Sequence, residues 1–335
     1  MTPQENPSFY KVNYSIRANK NIERKLIFDA LIRLPHSFKL EQYRYIGFGS
    51  MWFIDFIFAH RLLRITSMWS IERVNSSARA EFNRPYDCIE IKSGDSCEIL
   101  ARMAPEEWSI PFIAWFDYDG RFDKDVFGDC EILLTKASPG SVILMTVNAH
   151  RNSYKPVDES GYARASINTL REIFGDSVPV EGVPSEPREI EISKFPNILS
   201  GCILNLMGHI VRGSGRASKS CPYRFIPLFA FEHNDGAPMI TVGGMLADWR
   251  RISDLEVAMG VEADALFSGK AKKTETLDLV PITTKEKLSL DRLLPCSESE
   301  FDIRFGGSGI KLDINQARKY RRFYSHFPVF AETIL

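Results

Sequence analysis

Apolar and polar positions follow two different periods along the first half of the chain. Five short apolar runs, each of a length suited to one buried strand, cover residues 43–49, 65–72, 88–95, 111–120 and 141–148. Between them, apolar residues recur at helical spacing, which predicts helices over 50–63, 74–82, 96–104 and 123–137. Strands that alternate with helices of this size indicate right-handed βαβ units. The predicted fold class is therefore α/β with a mostly parallel sheet.

The segments on either side of this alternation have patterns of their own. Residues 21–34 place their apolar side chains on one helical face, and Pro35 ends that run. Residues 150–220 are rich in proline, glycine and serine, with helix candidates at 161–174 and 196–211. This middle stretch is the expected place for residues that select a substrate.

Two apolar stretches after residue 220 predict an antiparallel hairpin. They span 223–233 and 237–246, and the Asn-Asp-Gly sequence between them supplies the backbone freedom of a tight turn. The last part of the chain predicts short helices and turns that end in a basic, aromatic segment. The expected organisation is an N-terminal helical cap (1–42), a core domain (43–247, with 150–220 as an insertion) and a C-terminal helical region (248–335).

The composition is that of a globular protein without a strong overall charge. The 335 residues are 44% hydrophobic and 25% charged, with a formal net charge of -1. This balance gives no whole-molecule attraction to nucleic acid or to membranes. Scattered cysteines without a C-x-x-C pair are typical of a reducing compartment. Residues 1–25 contain no apolar signal core, and charged residues interrupt the longest apolar runs. We therefore expect a cytoplasmic protein with no membrane span.

Residues that can bind a ligand stand at the end of each of the first four predicted strands. In chain order they are Gly47 and Gly49 with the adjacent Ser50, then Glu72, then Asp95, then Asp117 and Asp119. In open parallel sheets, ligands bind beyond the carboxyl ends of the strands. An acid about 20 residues after a glycine turn is placed to hold the hydroxyls of a ribose.

With this order and spacing, residues 43–148 and the hairpin at 223–246 resemble the class I S-adenosylmethionine-dependent methyltransferases. The resemblance implies a Rossmann-like methyltransferase fold, in which a mostly parallel seven-stranded sheet is closed by an antiparallel hairpin of the sixth and seventh strands. It also implies S-adenosylmethionine as the cofactor.

The same resemblance implies roles for the residues at the strand ends. Gly47, Gly49 and Ser50 would lie against the methionine and ribose part of the cofactor, Glu72 would hold the ribose hydroxyls, and Asp95 would approach the adenine amine. Asp117 and Asp119 are the candidate catalytic residues. Residues i and i+2 of a strand share a face, and two coupled carboxylates can give one of them the raised pKa of a base.

Three further residues are candidates for substrate binding. Methyltransferases often cover the bound cofactor with a segment that precedes the first strand, which brings in Asn21 and Arg24. Asp55 lies in a strongly apolar predicted helix, so its carboxylate must either find a partner or reach the cleft. The structural interpretation pairs Asp55 with Arg61 or with a basic residue of the N-terminal segment.

Two other ligand classes are disfavoured by single positions. Trp52 stands where a dinucleotide-binding loop has its third glycine, and an indole there would hold the helix away from the strand. A magnesium site of the catechol-methyltransferase type would combine Asp117 with an Asp-Asn pair after the fifth strand. This chain has Val147 and Asn148 there. Two hard oxygen ligands are too few to predict a metal site.

The leading functional hypothesis is an S-adenosylmethionine-dependent methyltransferase that acts on an oxygen or nitrogen of an unidentified small-molecule or macromolecular acceptor. The two-glycine loop and the absence of an acid at Tyr45 and Ile46 leave open a non-catalytic or nucleic-acid-binding module in a multi-protein system. Basic segments with interleaved aromatics at 17–25, 212–224 and 318–322 are the features suited to nucleic acid. Metal-assisted phosphoester chemistry at the loop after the fourth strand is a third, weaker hypothesis.

Overall fold

The computed structural model describes residues 17–154, 167–179, 190–216, 223–248, 274–279 and 281–328. The strands are β1 (Arg44–Gly47), β2 (Ser67–Glu72), β3 (Ile89–Ser93), β4 (Phe112–Asp117), β5 (Val142–Asn148), β6 (Tyr223–Asn234), β7 (Pro238–Asp248) and β8 (Glu275–Leu277). The helices are α1 (Ala18–Ile32), α2 (Ile54–Leu63), α3 (Val74–Asn83), α4 (Ser96–Ala101), α5 (Pro105–Trp108), α6 (Lys124–Lys136), α7 (Ile167–Phe174), α8 (Phe195–Gly213), α9 (Thr284–Asp291), α10 (Glu298–Gly306) and α11 (Ile314–Phe323).

All of these strands belong to one sheet, in the order β3-β2-β1-β4-β5-β7-β6-β8. The first five run parallel, and β7 lies antiparallel between β5 and β6. The strand order reverses between β1 and β4, which is the position where open α/β sheets bind ligands at their carboxyl edge. This topology confirms the predicted α/β class and the antiparallel hairpin.

The sheet differs from the predicted seven strands by one extra edge strand. β8 pairs in parallel with β6, with Phe231 opposite Glu275 and His233 opposite Leu277. It comes from the C-terminal region, for which only helices and turns were predicted. A strand of three residues is too short to show a period in the sequence.

Each face of the sheet is covered by its own set of helices. Trp115 and Leu144 belong to the apolar cluster that contains Phe28 of α1 and other side chains of α1 and α2. Phe116 belongs to the cluster on the other face, together with Leu199 of α8 and side chains of α6. The alternation follows because successive strand residues point to opposite faces.

The loop before α2 is longer than predicted. The sequence pattern placed the helix start at residue 50, whereas α2 begins at Ile54. Ser50 and Phe53 have φ angles of 56° and 49°, in the left-handed region, so the chain cannot be helical there. Trp52 consequently lies in the loop and not in the first turn of the helix.

The helices predicted outside the alternating core are present where they are described. The helix predicted at 21–34 is α1, and those predicted at 161–174 and 196–211 are α7 and α8. Parts of the predicted 161–174 helix and of the 212–224 basic segment lie outside the described residues. Helices α9 to α11 share a small apolar cluster of their own around Leu290 and Phe301. In the described ranges, no helix is both long and apolar enough to span a bilayer.

Candidate functional site

The loop after β1 is joined to the end of β2 by hydrogen bonds to one carboxylate. The Ser50 backbone N–H donates to Glu72 Oε1 at 2.7 Å, and the Ser70 hydroxyl donates to the same oxygen at 2.8 Å. The Gly49 N–H donates to Ser70 Oγ at 2.9 Å. The glycine loop and Glu72, two predicted parts of one cofactor site, therefore lie against each other.

Both glycines of this loop are required by close approach to neighbouring atoms. A Cβ on Gly47 would lie 2.8 Å from the Trp115 carbonyl oxygen. A Cβ on Gly49 would overlap the Phe53 ring and lie 2.6 Å from Ser70 Oγ. A larger residue would push the loop away from β2, because packed interiors have no room for an added methyl group. The glycines thus hold the Ser50 N–H within reach of Glu72.

Glu72 is a buried acid, with 6% of the residue exposed. Burial raises its pKa to about 7, against the opposing effect of hydrogen bonds from Ser70, Ser50 and Gly49. Within the described part of the chain, no basic side chain forms an ion pair with it. A carboxylate offers about four acceptor positions, so Glu72 can accept hydrogen bonds from neighbouring hydroxyls of a ligand.

The acids after β3 and β4 lie at the same edge in different surroundings. Asp95 is exposed and caps α4 by accepting a hydrogen bond from the Cys97 N–H at 3.0 Å. The Asp117 side chain, at the end of β4, is 19% exposed. Asp119 is exposed and lies beyond the strand. Because β4 ends at Asp117, the rule that residues i and i+2 share a face does not extend to Asp119.

Asp117 forms an ion pair with a lysine that the sequence analysis did not select. Lys20 Nζ lies 3.3 Å from Asp117 Oδ2 and 2.9 Å from Glu23 Oε2. The same ammonium donates to Thr146 Oγ1 at 3.1 Å and lies 4.9 Å from the centre of the Trp115 ring. Lys20 and Glu23 are 1% and 0% exposed. A buried charged cluster therefore sits where α1 crosses the ends of β4 and β5.

This cluster keeps Asp117 ionised. Burial raises the pKa of Asp117, but the charges of Lys20 and Arg24 outweigh burial, and the resulting pKa is lower than the ordinary value. The predicted raised pKa of a coupled carboxylate is therefore wrong for Asp117. Of the two carboxyl groups beside Lys20, Glu23 is the one with a raised pKa, and burial is the largest cause.

His233, near the end of β6, completes the cluster as a neutral side chain. Its ring nitrogens lie 3.7 Å from Glu23 Oε2 and 3.8 Å from Asp235 Oδ2. Burial, followed by the charge of Lys20, lowers its pKa to about 3. His233 is therefore uncharged at neutral pH.

Two of the three candidate substrate residues, Arg24 and Asp55, pair with each other, and the third, Asn21, follows Lys20 in α1. Arg24 Nε donates to Asp55 Oδ1 at 2.5 Å, so the partner of Asp55 is the N-terminal arginine and not Arg61. Both side chains are mostly buried, and Arg24 Nη1 has no hydrogen-bond partner among the described residues. The same holds for Asn21 Oδ1. Their direct contact with a substrate stays a prediction.

The start of α1 is capped by a carboxylate from the β6–β7 turn. Asp235 Oδ2 accepts a hydrogen bond from the Lys20 N–H at 2.9 Å. Its Oδ1 accepts from the Asn19 N–H at 3.3 Å and from Asn19 Nδ2 at 3.0 Å. The residue in the helix's own N-cap position, Arg17, makes no side-chain cap. A distant turn thus supplies the acceptor and the negative charge that a helix start favours.

One sequence signal could have identified Lys20 and Glu23. They precede Ile27 by seven and four positions, which places them on the apolar face of α1. Charged residues on a buried helical face need partners, and such residues are frequent in binding sites. His233 and Thr146 carry no comparable signal, because only the sheet register brings them to this edge.

The basic residues of the 318–322 segment are paired within the protein. Arg318 forms two hydrogen bonds with Asp302, and Arg322 lies 2.7 Å from Glu275. Arg321 lies 3.2 Å from Glu298, and Tyr320 is buried. In the N-terminal segment, Lys20 and Arg24 are buried as described above. These pairings favour a structural role for the basic residues over the predicted contact with nucleic acid, which stays untested.

The possible metal ligands after β4 and β5 are likewise engaged with protein groups. Asn148 Oδ1 accepts a hydrogen bond from the His150 N–H at 2.7 Å, and Asp117 is paired with Lys20. Among the residues that the structure describes, no three His, Cys, Asp or Glu side chains are grouped as metal ligands.

The strand order, the terminal antiparallel hairpin and the acid at the end of β2 define the class I methyltransferase fold. Residues 12–335 match the family described as "Putative O-methyltransferase". The match covers nearly the whole chain, so the protein belongs to this family. It is an S-adenosylmethionine-dependent methyltransferase, and its cofactor is S-adenosylmethionine.

Comparison with solved structures yields more distant likenesses. An S-adenosylmethionine-dependent methyltransferase from Mesorhizobium loti has 14% sequence identity and a TM-score of 0.35, with 61% of this chain and 90% of that chain covered. An arsenic(III) S-adenosylmethionine methyltransferase from Chlamydomonas reinhardtii has 13% identity and a TM-score of 0.35, with 62% and 64% covered. No curated protein matches the sequence. Likenesses this distant carry no argument about the acceptor.

Proposed function

We propose that this protein methylates an oxygen or nitrogen atom of an acceptor that binds at the ends of β4 and β5, beside Asp117. The observation that carries the proposal is the bond from the Ser50 N–H to Glu72, which brings the glycine loop and the β2 acid into one site. The ion pair between Lys20 and Asp117 lies along the same sheet edge. The acceptor itself is either a small molecule or a macromolecule.

The residues around Glu72 fit S-adenosylmethionine. Glu72 is a buried carboxylate with a pKa of about 7, and it has no ion-pair partner among the described residues. Hydrogen bonds from donors such as the two ribose hydroxyls would stabilise its ionised form. We assign Glu72 to the ribose, Gly47, Gly49 and Ser50 to the loop beside it, and Asp95 to the adenine side. When bound, the cofactor supplies an electrophilic methyl group on a sulfonium sulfur.

Asp117 has the properties of a group that orients an acceptor. Its ionised carboxylate can accept a hydrogen bond from an acceptor O–H or N–H, and the fixed ammonium of Lys20 holds it in place. A carboxylate with a lowered pKa is a weak base, so we assign removal of the proton to the exposed Asp119. Arg24 and Asp55 support this end of the site through their mutual ion pair.

Calorimetric titration with S-adenosylhomocysteine tests the cofactor half of the proposal. We expect the wild-type protein to bind and Glu72→Ala to lose at least about tenfold in affinity, equivalent to roughly 1.4 kcal/mol. Glu232→Ala is the matched control, because burial also raises the pKa of this strand carboxylate but it bonds to Thr276. No binding by the wild type would refute the proposal and favour the non-catalytic alternative. Equal binding by Glu72→Ala would refute the assignment of Glu72 to the ribose.

A further inference from the structure

One buried acid outside the site described so far accepts hydrogen bonds from two hydroxyl groups of two different chain segments. Asp129, in α6, is 0% exposed. Its Oδ2 accepts a hydrogen bond from Ser96 Oγ at 2.5 Å and another from the Tyr118 hydroxyl at 2.5 Å. Ser96 is the first residue of α4, after β3, and Tyr118 directly follows β4. Asp129 Oδ2 therefore links, through two hydrogen bonds, the chain segments that follow β3 and β4.

The other oxygen of this acid is left without a partner. Asp129 Oδ1 is buried and makes no hydrogen bond with any described residue. A buried polar atom without a partner destabilises a fold, so an acid kept only for stability would use both oxygens. The contacts that Asp129 contributes are therefore the two hydroxyl hydrogen bonds from Ser96 and Tyr118.

The segments that meet at Asp129 carry two residues of the proposed site, Asp95 on the cofactor side and Asp117 on the acceptor side. Ser96 follows Asp95, and Tyr118 follows Asp117. The Tyr118 ring also lies edge-on to Phe48, with ring centres 5.2 Å apart, and Phe48 stands between Gly47 and Gly49. The glycine loop, the start of α4 and the loop after β4 are thus connected through one contiguous set of side chains.

We propose that Asp129 is a positioning residue for S-adenosylmethionine, which fixes the loops after β3 and β4 into one wall of the cofactor site. The inference rests on the proposed function, since it assumes that the cofactor lies between these loops. Asp129 acts through Ser96 and Tyr118 and does not itself touch the ligand, because its side chain is fully buried.

The charges around Asp129 are consistent with this coupling. Burial raises its pKa to about 6, the bonds from Ser96 and Tyr118 lower it, and the carboxylates of Asp95 and Asp125 raise it again. Asp95 is the chain neighbour of Ser96, whose hydroxyl donates to Asp129. At pH 8 Asp129 is ionised and accepts both hydroxyl hydrogen bonds.

The test is calorimetric titration of full-length variants with S-adenosylhomocysteine at pH 8. Asp129→Leu removes both acceptor interactions, and we expect affinity to fall by about tenfold, within the range by which positioning residues modulate a distant site. Asp129→Asn keeps a carbonyl oxygen that can accept both hydroxyl bonds, so it should bind within about threefold of the wild type. Should Asp129→Leu fail to fold, the double variant Ser96→Ala/Tyr118→Phe removes the same two bonds and should show the same loss.

Tyr320→Phe separates positioning from simple stability. The Tyr320 hydroxyl also donates to a carboxylate, Asp291, at 2.5 Å, in the C-terminal helical cluster. We expect this control to lose thermal stability with no change in S-adenosylhomocysteine affinity. Unchanged affinity in both Asp129→Leu and the double variant would overturn the inference while the proposed function stands. No binding by the wild type would overturn both.

Discussion

Lys20 and Asp117 form a buried ion pair that joins the N-terminal helix to the end of the fourth strand, with 3.3 Å between Nζ and Oδ2. The lysine is fully enclosed, and Glu23 lies on its other side at 2.9 Å. The ammonium group of Lys20 attracts the carboxylates of both Asp117 and Glu23. The pair therefore determines the charge at the acceptor end of the site as well as the docking of α1.

Replacing Lys20 by methionine should destabilise the protein strongly. The substitution keeps the length of the side chain but leaves two buried carboxyl groups without their cation, which costs on the order of 3–5 kcal/mol. Urea unfolding at pH 7.5 measures the effect. Lys194→Met is the matched control, because Lys194 forms an exposed ion pair with Glu191 just before α8 and exposed pairs contribute about 0–1 kcal/mol. Equal costs for the two variants would contradict the buried pair.

Replacing Glu72 by glutamine should stabilise the ligand-free protein at high pH. The folded-state pKa of Glu72 is about 7, above the ordinary value of 4.5. The folded state therefore binds this proton more tightly than the unfolded state does, and the free energy of unfolding falls as the pH rises between these values. The wild-type loss amounts to about 3 kcal/mol at most.

The glutamine variant has no carboxyl group to titrate at this position, so its free energy of unfolding does not show this loss. It should exceed that of the wild type at pH 8 and be nearly equal to it at pH 4.5. Chemical denaturation at both pH values measures the difference. Asp129 titrates in the same range but is present in both proteins, so its contribution cancels. An advantage of the same size at the two pH values would rule out the raised pKa of Glu72.

Binding of S-adenosylhomocysteine should weaken as the pH falls below 7. Ribose hydroxyls donate hydrogen bonds most strongly to an ionised carboxylate, and Glu72 becomes protonated near pH 7. With that pKa, affinity should be roughly tenfold lower at pH 6 than at pH 8. Titration calorimetry across this range is the measurement, and Glu72→Gln should bind weakly at every pH. A wild-type affinity that does not change with pH would exclude Glu72 as the ribose ligand.

Adding one methyl group at Gly49 should damage both stability and cofactor binding. The new Cβ would overlap the Phe53 ring and crowd Ser70, which we expect to cost about 1–3 kcal/mol. Displacement of the loop would also lengthen the bond from the Ser50 N–H to Glu72. Gly120→Ala serves as the control, since a Cβ at that position would meet no atom of the described residues within 4 Å. Similar thermal midpoints for the two variants would count against close packing at Gly49.

The strand ends could be predicted because each one terminates an apolar run, and the chain order of βαβ units brings those ends to one edge. Glu72 is the best example, since its spacing from Gly49 already predicted that the two would meet. The true start of α2 could not be predicted. Ser50 and Phe53 have left-handed backbone, which is uncommon for residues with side chains. Neither residue type indicates this conformation in the sequence.

The charged cluster around Lys20 and Asp117 was only partly predictable, for a different reason. Arg24 and Asp55 were recognised as candidates, but Lys20 and Glu23 look like ordinary surface charges unless their place on the apolar face of α1 is noticed. His233 reaches the same cluster through the register of β6 and β7. Register depends on tertiary pairing, and no local pattern contains that information.

The cap that Asp235 provides for α1 also sets an order in which the site can be completed during synthesis. The acceptor of the Lys20 N–H hydrogen bond lies 215 residues further along the chain. The glycine loop, Glu72 and Asp117 are therefore translated long before the turn that anchors α1 leaves the ribosome. The partners of the Lys20 ammonium, Glu23, Asp117 and Thr146, are also translated earlier. The Asp235 cap, in contrast, can form only after the hairpin has been translated, so premature termination before that hairpin would leave the start of α1 uncapped.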